Sequence, residues 1–293
     1  MFVALSLSTT TFFTPTNMVN LLDQSAMVGI LAAAATLCII SGVFDLSMSA
    51  VLTVSAIIAV QTTNHFGVAA GFATGILVGA GLGLMNGLLV NYGRINSFIA
   101  TLATGIVFRG LAVVVTEGQL VATTSRSFGV FNDASPVFGI TTGSWLFIAV
   151  AVLSGLLLSR TTFGRAVYAV GGNREAARLS GIRTRVVSSF VMTLSGSLAA
   201  TAGLIGASRA SSAQASMYTG LELSAIAAAV VGGTSILGGE GTMWRAVLGV
   251  FILALIGNGF NLLGLDPTYQ QVVQGALILV AVGTDQILRR RRF

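Results

Sequence analysis

The sequence predicts an all-α, polytopic membrane helix bundle of about ten transmembrane helices, and three observations carry that prediction. Of its 293 residues, 54% are hydrophobic and only 8% are charged, whereas soluble domains carry roughly 25% charged residues. Stretches free of Asp, Glu and Arg recur along the chain at the length of about 20 residues that a hydrocarbon core of roughly 30 Å demands. Glycine accounts for 36 residues, about one in eight against an average near 7%, and small residues let helices approach closely in lipid.

Taken in order, the elements begin with a short apolar stretch at 1–13. It has no basic leading segment and no small-residue cleavage site, so it reads as a clipped first span and not as a signal peptide. Spans follow near 24–43, 46–64, 66–91, 96–116, 142–159, 186–208, 222–238, 243–262 and 269–288. In the span 66–91, Gly71, Gly75, Gly79, Gly83 and Gly87 recur every fourth residue, a ladder that brings two helix backbones together. The segment 117–141 carries Gly118, Ser125, Asn132, Asp133 and Pro136 and reads as an irregular loop.

All 15 basic residues are arginines. With ten crossings, Arg94, Arg160, Arg165, Arg174, Arg178, Arg183, Arg185, Arg245 and the tail Arg289 to Arg292 fall on one side of the membrane, and Arg126 and Arg209 on the other. The positive-inside rule makes the first side cytoplasmic, with the C-terminus there and 117–141 outside. Residues 1–293 then form a single transmembrane domain of a multi-pass inner-membrane protein, and a cytoplasmic loop at 160–185 is its largest feature outside the bilayer.

Several function classes are excluded or weakened by the same inventory. Without lysine there is no phosphate-binding Gly-x-x-x-x-Gly-Lys-Ser/Thr loop, so any ATP must be bound by another chain. Cys38 and His65 each stand alone, which leaves no disulfide framework, no His-rich metal site and no recognisable catalytic set. The net charge of +6 is explained by the sidedness of the arginines and does not call for nucleic acid.

Within the loop, Asn173 is placed to cap a short helix and Glu175 suits its first turn against the helix dipole. Ala176 and Ala177 leave one face uncluttered, and Gly181 can end the helix. Two turns of helix beneath the membrane result, with anionic lipid headgroups as the general attraction for the surrounding arginines.

Polar groups inside spans cost a few kcal/mol and each needs a reason. Arg109 lies two-thirds of the way out along its span, where pairing with Glu222 is the favoured reading and contact with a solute the second. Asp45, between two spans, reads as a helix cap or part of an inner gate, and Glu222 shares the second possibility. Asn86, Asn258, Asn261, Gln271 and Gln274 are uncharged donors and acceptors that suit a solute pathway or interhelical hydrogen bonds equally well.

Glu175-Ala176-Ala177 followed by Gly181 resembles the docking loop of bacterial import permeases, and the likeness extends from about Asn17 to Asp285. Gly164-Arg165, Tyr168 to Asn173, Ala176 to Ile182, Asn86 to Val90, Phe98 to Leu102, Arg109 to Ala112, Ala225 to Ala228, Gly232 to Ser235 and Asn258 to Leu263 are similar to the ribose-type branch of the sugar ABC permeases. Against that family's Gly-Gly-Ile-Asp-Leu-Ser-Val-Gly turn, Ser41 to Ser49 keeps one glycine of the pair and lacks the last; Gly238-Gly239-Glu240-Gly241 places an acid where a basic residue is common.

The resemblance implies a permease that moves a monosaccharide or similar polyhydroxylated solute by alternating access. It implies Gly164, Arg165, Gly171, Gly172, Asn173, Glu175, Ala176, Ala177 and Gly181 as the surface that meets an ATPase subunit. ATP and Mg would be held by that subunit, with no cofactor in this chain. The other partners implied are a periplasmic or extracellular solute-binding protein and a second permease subunit, identical or similar. The competing reading is an ion-coupled secondary transporter, which needs intramembrane carboxylates or broken helices near the midplane; the acids here lie mainly at span ends.

Overall fold

The computed structural model describes residues 6, 9, 11–133, 139–266, 268–270, 272–273, 275–277, 279–280 and 283. Helix α1 (Pro15–Ile40) is launched by Thr14, whose hydroxyl accepts from the Asn17 N–H, with Pro15 in the first turn where a missing N–H costs nothing. The chain turns at Ser41 and Gly42, runs unwound through 43–47, and enters α2 (Met48–Phe66). Gly67 reverses it into α3 (Val68–Asn91), and Asn96 caps α4 (Ser97–Thr116) by accepting from the N–H groups of Phe98 and Ile99.

Beyond α4 a loop contains the two-residue strand β1 (Val121–Ala122) and a 3₁₀ turn (Arg126–Phe131) before α5 (Thr142–Arg160). Two short helices follow, α6 (Thr162–Gly172) and α7 (Arg174–Leu179), and then the long α8 (Thr184–Ala210). Strand β2 (Ser212–Ala213) pairs antiparallel with β1. Helices α9 (Leu221–Val231) and α10 (Met243–Leu262) complete the named elements.

The architecture is a helix bundle in which, among the described residues, six helices, α1, α3, α4, α5, α8 and α10, are long and apolar enough to cross a membrane. Helices α1 and α8 form its buried centre, while α3, α4 and α5 leave most of their apolar side chains exposed, as lipid-facing helices do. Ile30 and Leu31 of α1, Leu52 of α2, Phe108 of α4, Phe147 of α5, Ile205 of α8 and Val250 of α10 meet in one core.

The glycine ladder packs on two helices: Gly71 and Gly75 lie against Ser55, Ala59 and Thr63 of α2, and Gly79, Gly83 and Gly87 form the seam with α8. A Cβ on Gly79 would lie 2.5 Å from both the Gly196 carbonyl oxygen and the Ala200 methyl, so only a bare backbone fits. At the end of the seam the Ser189 hydroxyl donates to the Gly87 carbonyl at 3.1 Å and receives the Asn91 amide at 3.1 Å.

Two expected spans change. The first full one begins at Pro15 and not at residue 24, because Asp23, which charge-free counting placed outside, sits inside α1. Its carboxylate accepts from Arg209, Thr141 and Ser144, so the helix carries the charge with it neutralised. The span expected at 222–238 contracts to the 11 residues of α9, roughly 16 Å at 1.5 Å per residue, too short to cross alone. Residues 232–241 turn instead, with left-handed backbone at Gly233, Gly238 and Gly239; apolar composition cannot distinguish such a turn from a helix. The expected total of about ten also counts 1–13 and 269–288, which are described only in part.

Among the described residues, the arginines sort by end as the sidedness argument requires. Arg94, Arg160, Arg165, Arg174, Arg178, Arg183, Arg185 and Arg245 lie with the turns at 41–47, 92–96, 161–183 and 232–242. Contacts between those turns, such as Arg174 with Asn91 and Tyr168 with Gly241, hold that end together. Arg126 and Arg209 lie at the opposite end with β1 and β2. Pro136 and the tail Arg289 to Arg292 fall outside the described residues.

Candidate functional site: a docking helix and the polar interior

At the arginine-rich end, α6 and α7 lie across the bundle. Thr161 caps α6 by accepting from the Gly164 N–H at 3.0 Å, and Gly164, Val167 and Val170 form the buried stripe of that helix at three-residue intervals. Arg165 stays exposed. Helix α6 ends where glycines allow three backbones to touch. Gly171 packs on the Ile40 carbonyl, a Cβ on Gly239 would stand 2.6 Å from the Gly172 Cα, and the Gly239 N–H donates to the Ile40 carbonyl at 2.9 Å. The Tyr168 hydroxyl donates to the Gly241 carbonyl at 2.7 Å. A push on α6 is therefore transmitted directly to the end of α1 and to the 232–241 turn.

Helix α7 forms as its local chemistry dictates. The Asn173 side chain accepts from the Ala176 N–H at 2.9 Å. At the other end the Gly181 and Ile182 N–H groups return to the carbonyls of Arg178 and Ala177, and Gly181 takes the left-handed conformation that this closure needs. Glu175 makes two hydrogen bonds to Arg178, at 2.6 and 3.2 Å. That bonding, and then the guanidinium charge, holds the Glu175 carboxyl below its ordinary range, so it is ionised at neutral pH. Ala177 is the buried contact of α7, while Glu175, Ala176, Arg178 and Leu179 face outward. The six residues of this helix thus carry one buried methyl, that of Ala177, and one exposed leucine, Leu179.

Inside the bundle the candidate polar residues divide. Asn258 is committed to packing: it and Asn17 exchange amide hydrogen bonds at 2.8 and 3.2 Å, joining α10 to α1 in a buried site. Asn86 is fully buried and donates to the Ser47 hydroxyl at 2.8 Å. Asp45 accepts from the Ser47 N–H at 3.0 Å and hydroxyl at 2.6 Å, and from the Ser195 hydroxyl at 2.7 Å. It thus shapes the turn that leads into α2 and ties that turn to α8, while α2 itself begins after Ser47 with no side-chain cap. Asn261 lines a cavity of about 370 Å³ with Gln24, Ser25, Ser224 and Gln270. Gln271 and Gln274 lie outside the described residues.

The expected Arg109–Glu222 ion pair is absent. Arg109 Nη1 donates to the Ala215 carbonyl at 3.0 Å and to Thr219 Oγ1 at 2.7 Å, and Nη2 donates to Ser49 Oγ at 3.1 Å. The guanidinium satisfies unpaired carbonyls of the non-helical segment 211–220, which a sequence search for charge partners does not consider. Both residues nonetheless line one cavity of about 360 Å³ with Leu46, Ser49, Leu102, Ile106, Val113 and Thr219. Among the described residues no group of three or more His, Cys, Asp or Glu side chains is placed to hold a metal ion.

Sequence reasoning missed Ser49, Thr219, Gln24 and Gln270 as cavity residues and Asn17 as the partner of Asn258. Gln24 and Ser25 were visible as polar groups at a supposed span start. The Asn17–Asn258 pair spans 241 positions and left no local signal.

Comparison with known proteins places this geometry. Residues 17–282 match the family described as the branched-chain amino acid transport system / permease component. The ribose import permease protein of Escherichia coli strain K12 is 37% identical over 224 residues, which cover 75% of this chain and 70% of the relative. The L-arabinose transport system permease protein of the same strain is 38% identical over 236 residues, 78% of this chain and 70% of the relative. The ribose import permease protein of Bacillus subtilis strain 168 is 40% identical over 230 residues, covering 78% and 71%. No solved structure matches the chain. It follows that the chain belongs to this family of transport permeases, within its ribose-type sugar ABC branch, and is a transport component of the membrane and not an enzyme.

Proposed function

We propose that the chain is the membrane-spanning permease of an importer for a monosaccharide or similar polyhydroxylated solute, driven by an ATPase subunit that docks on the 160–185 loop. The observation that carries this is the construction of that loop. Helix α7 is capped at both ends yet buries only Ala177, and the preceding α6 is wired by Gly171, Gly172 and Tyr168 to α1 and the 232–241 turn. A partner that closes around ATP and Mg could pull α7 and displace the ends of the transmembrane helices, converting an outward-open pathway to an inward-open one.

In this reading residues 1–293 act as one permease domain and the arginine-rich end, with the C-terminus, faces the cytoplasm. A solute-binding protein delivers cargo to the opposite face, and a second permease subunit, the same chain or a similar one, shares the ATPase pair. The names of the ribose and arabinose relatives support the solute class. Of the pathway candidates, Asn86 and Asn258 serve interhelical bonding, which leaves Arg109 and Asn261 on cavities.

The test is uptake of D-ribose and L-arabinose into vesicles holding the chain, its ATPase and its binding protein. Uptake is expected to require ATP and to survive a protonophore. Uptake that collapses with the protonophore while ATP is maintained would instead establish the ion-coupled secondary transporter.

A further inference from the structure

The cavity bounded by Arg109 and Glu222 has the chemistry of a solute site. It is about 360 Å³, within the range of roughly 300–1,000 Å³ in which small-molecule sites fall. One wall is apolar, from Leu46, Leu102, Ile106 and Val113; the other carries Ser49, Arg109, Thr219 and Glu222. The two charges share the cavity without joining in an ion pair, so each keeps hydrogen-bonding capacity.

Arg109 has five N–H donors. Those on Nη1 serve Ala215 and Thr219, and one on Nη2 serves Ser49. The other N–H of Nη2 and that of Nε have no partner among the described residues. Its position is fixed by the bonds already made, so the remaining donors are pre-oriented. Glu222 is a pure acceptor when ionised. Its Oε2 is shielded from solvent and has no hydrogen-bond partner among the described residues, a condition that costs free energy until a donor arrives.

Beneath this cavity lies the unwound strap 43–47. The Leu46 N–H is held by Thr101 Oγ1 at 3.0 Å and the Phe44 N–H by Ser97 Oγ at 3.1 Å, one helical turn apart on α4. On its far side, toward the arginine-rich end, a second cavity of about 520 Å³ is lined by Gly42, Val43, Asn96 and Ser97. The strap contributes Leu46 to the lining of the first cavity and Val43 to that of the second.

We propose that the Arg109–Glu222 cavity is the transit site of this permease, with Glu222 accepting and Arg109 donating hydrogen bonds to adjacent hydroxyls of a neutral polyhydroxylated solute held above the 43–47 strap. A hydroxyl both donates and accepts, so a vicinal diol can bridge a cation and an anion that do not touch each other, while its CH face lies on Leu102 and Ile106. The charges balance, which suits an uncharged solute; an amino-acid zwitterion is the competing ligand of matching charge. This inference rests on the proposed import function and selects between the two cavities left open there.

The experiment compares wild type, Glu222→Gln, Ser49→Ala and Asn261→Ala in vesicles with the ATPase and binding protein, using D-ribose, L-arabinose and L-leucine as solutes. Glu222→Gln keeps shape and removes the charged acceptor. Its sugar uptake is expected to fall roughly tenfold to a hundredfold, the scale of one hydrogen bond to a charged group, while the complex with the ATPase still assembles. Ser49→Ala is expected to fall several-fold and Asn261→Ala to match wild type. Sugar uptake by wild type that is unaffected in Glu222→Gln and lost in Asn261→Ala would assign transit to the other cavity and overturn the proposal. Wild-type vesicles that take up L-leucine and neither sugar would overturn the solute class and the import reading with it, a result distinct from failure of the site alone.

Discussion

The two long seams of the bundle are built on opposite principles. Along α3 and α8 the backbones approach through Gly79, Gly83, Gly87 and Gly196, with only small side chains such as Ala200 and Ser189 beside the glycines. Between α4 and the 43–49 segment the Ser97 and Thr101 hydroxyls accept from the Phe44 and Leu46 N–H groups and Arg109 donates to the Ser49 hydroxyl, with a cavity beside them. Close-packed backbone cannot slide without overlap, whereas a few hydrogen bonds of about 1 kcal/mol each can be exchanged for bonds to water or a solute. The first seam is a spine and the second is where the molecule can open.

The comparison can be broken at either seam. Gly83→Leu places a side chain into the Met192 carbonyl and the Gly196 backbone, and overpacking of this kind costs about 3 kcal/mol. The expected outcome is loss of monodisperse protein in detergent chromatography. A well-folded, active Gly83→Leu variant would show that the spine tolerates separation and that the seams do not differ. Thr101→Val has the smaller expected effect. It removes the acceptor for the Leu46 N–H at a cost of about 1 kcal/mol. The fold is expected to survive while ATPase activity rises without matching uptake, because the strap no longer holds Leu46 in the cavity lining. ATPase activity and uptake that both equal wild type would remove the strap from the transport cycle.

How much of this was legible in the sequence differs by region for physical reasons. Helix α7 was readable almost atom by atom, because Asn173, Glu175 and Gly181 act on neighbours three to five residues away. The span limits of α3, α4, α5, α8 and α10 were close to the observed ones, since hydrophobic length and helix length coincide in a membrane. The start of α1 was missed because a charge was taken as the end of a span, and the Asp23 carboxylate is held by Arg209, Thr141 and Ser144, all far along the chain. The contraction of α9 was missed because charge-free counting carried the span on to residue 238, although Gly232-Gly233 and the glycine-rich turn at 238–241 are breaker signals. Arg109 was expected to pair with Glu222, but its partners are a carbonyl and hydroxyls, two of them in a segment whose irregularity only the fold reveals.

The central claim is that the exposed face of α7 is where an ATPase engages this chain. It is tested most directly by copurifying the tagged permease with its cognate ATPase for wild type, Glu175→Arg and Leu179→Asp. Both substitutions lie on exposed positions of a helix whose caps they leave alone. The expected result is loss of the ATPase, by about tenfold for each variant at one to two hydrogen bonds' worth of binding energy, from permease that stays monodisperse. Undiminished copurification and ATP-dependent uptake in all variants would contradict the account and place the drive for transport elsewhere.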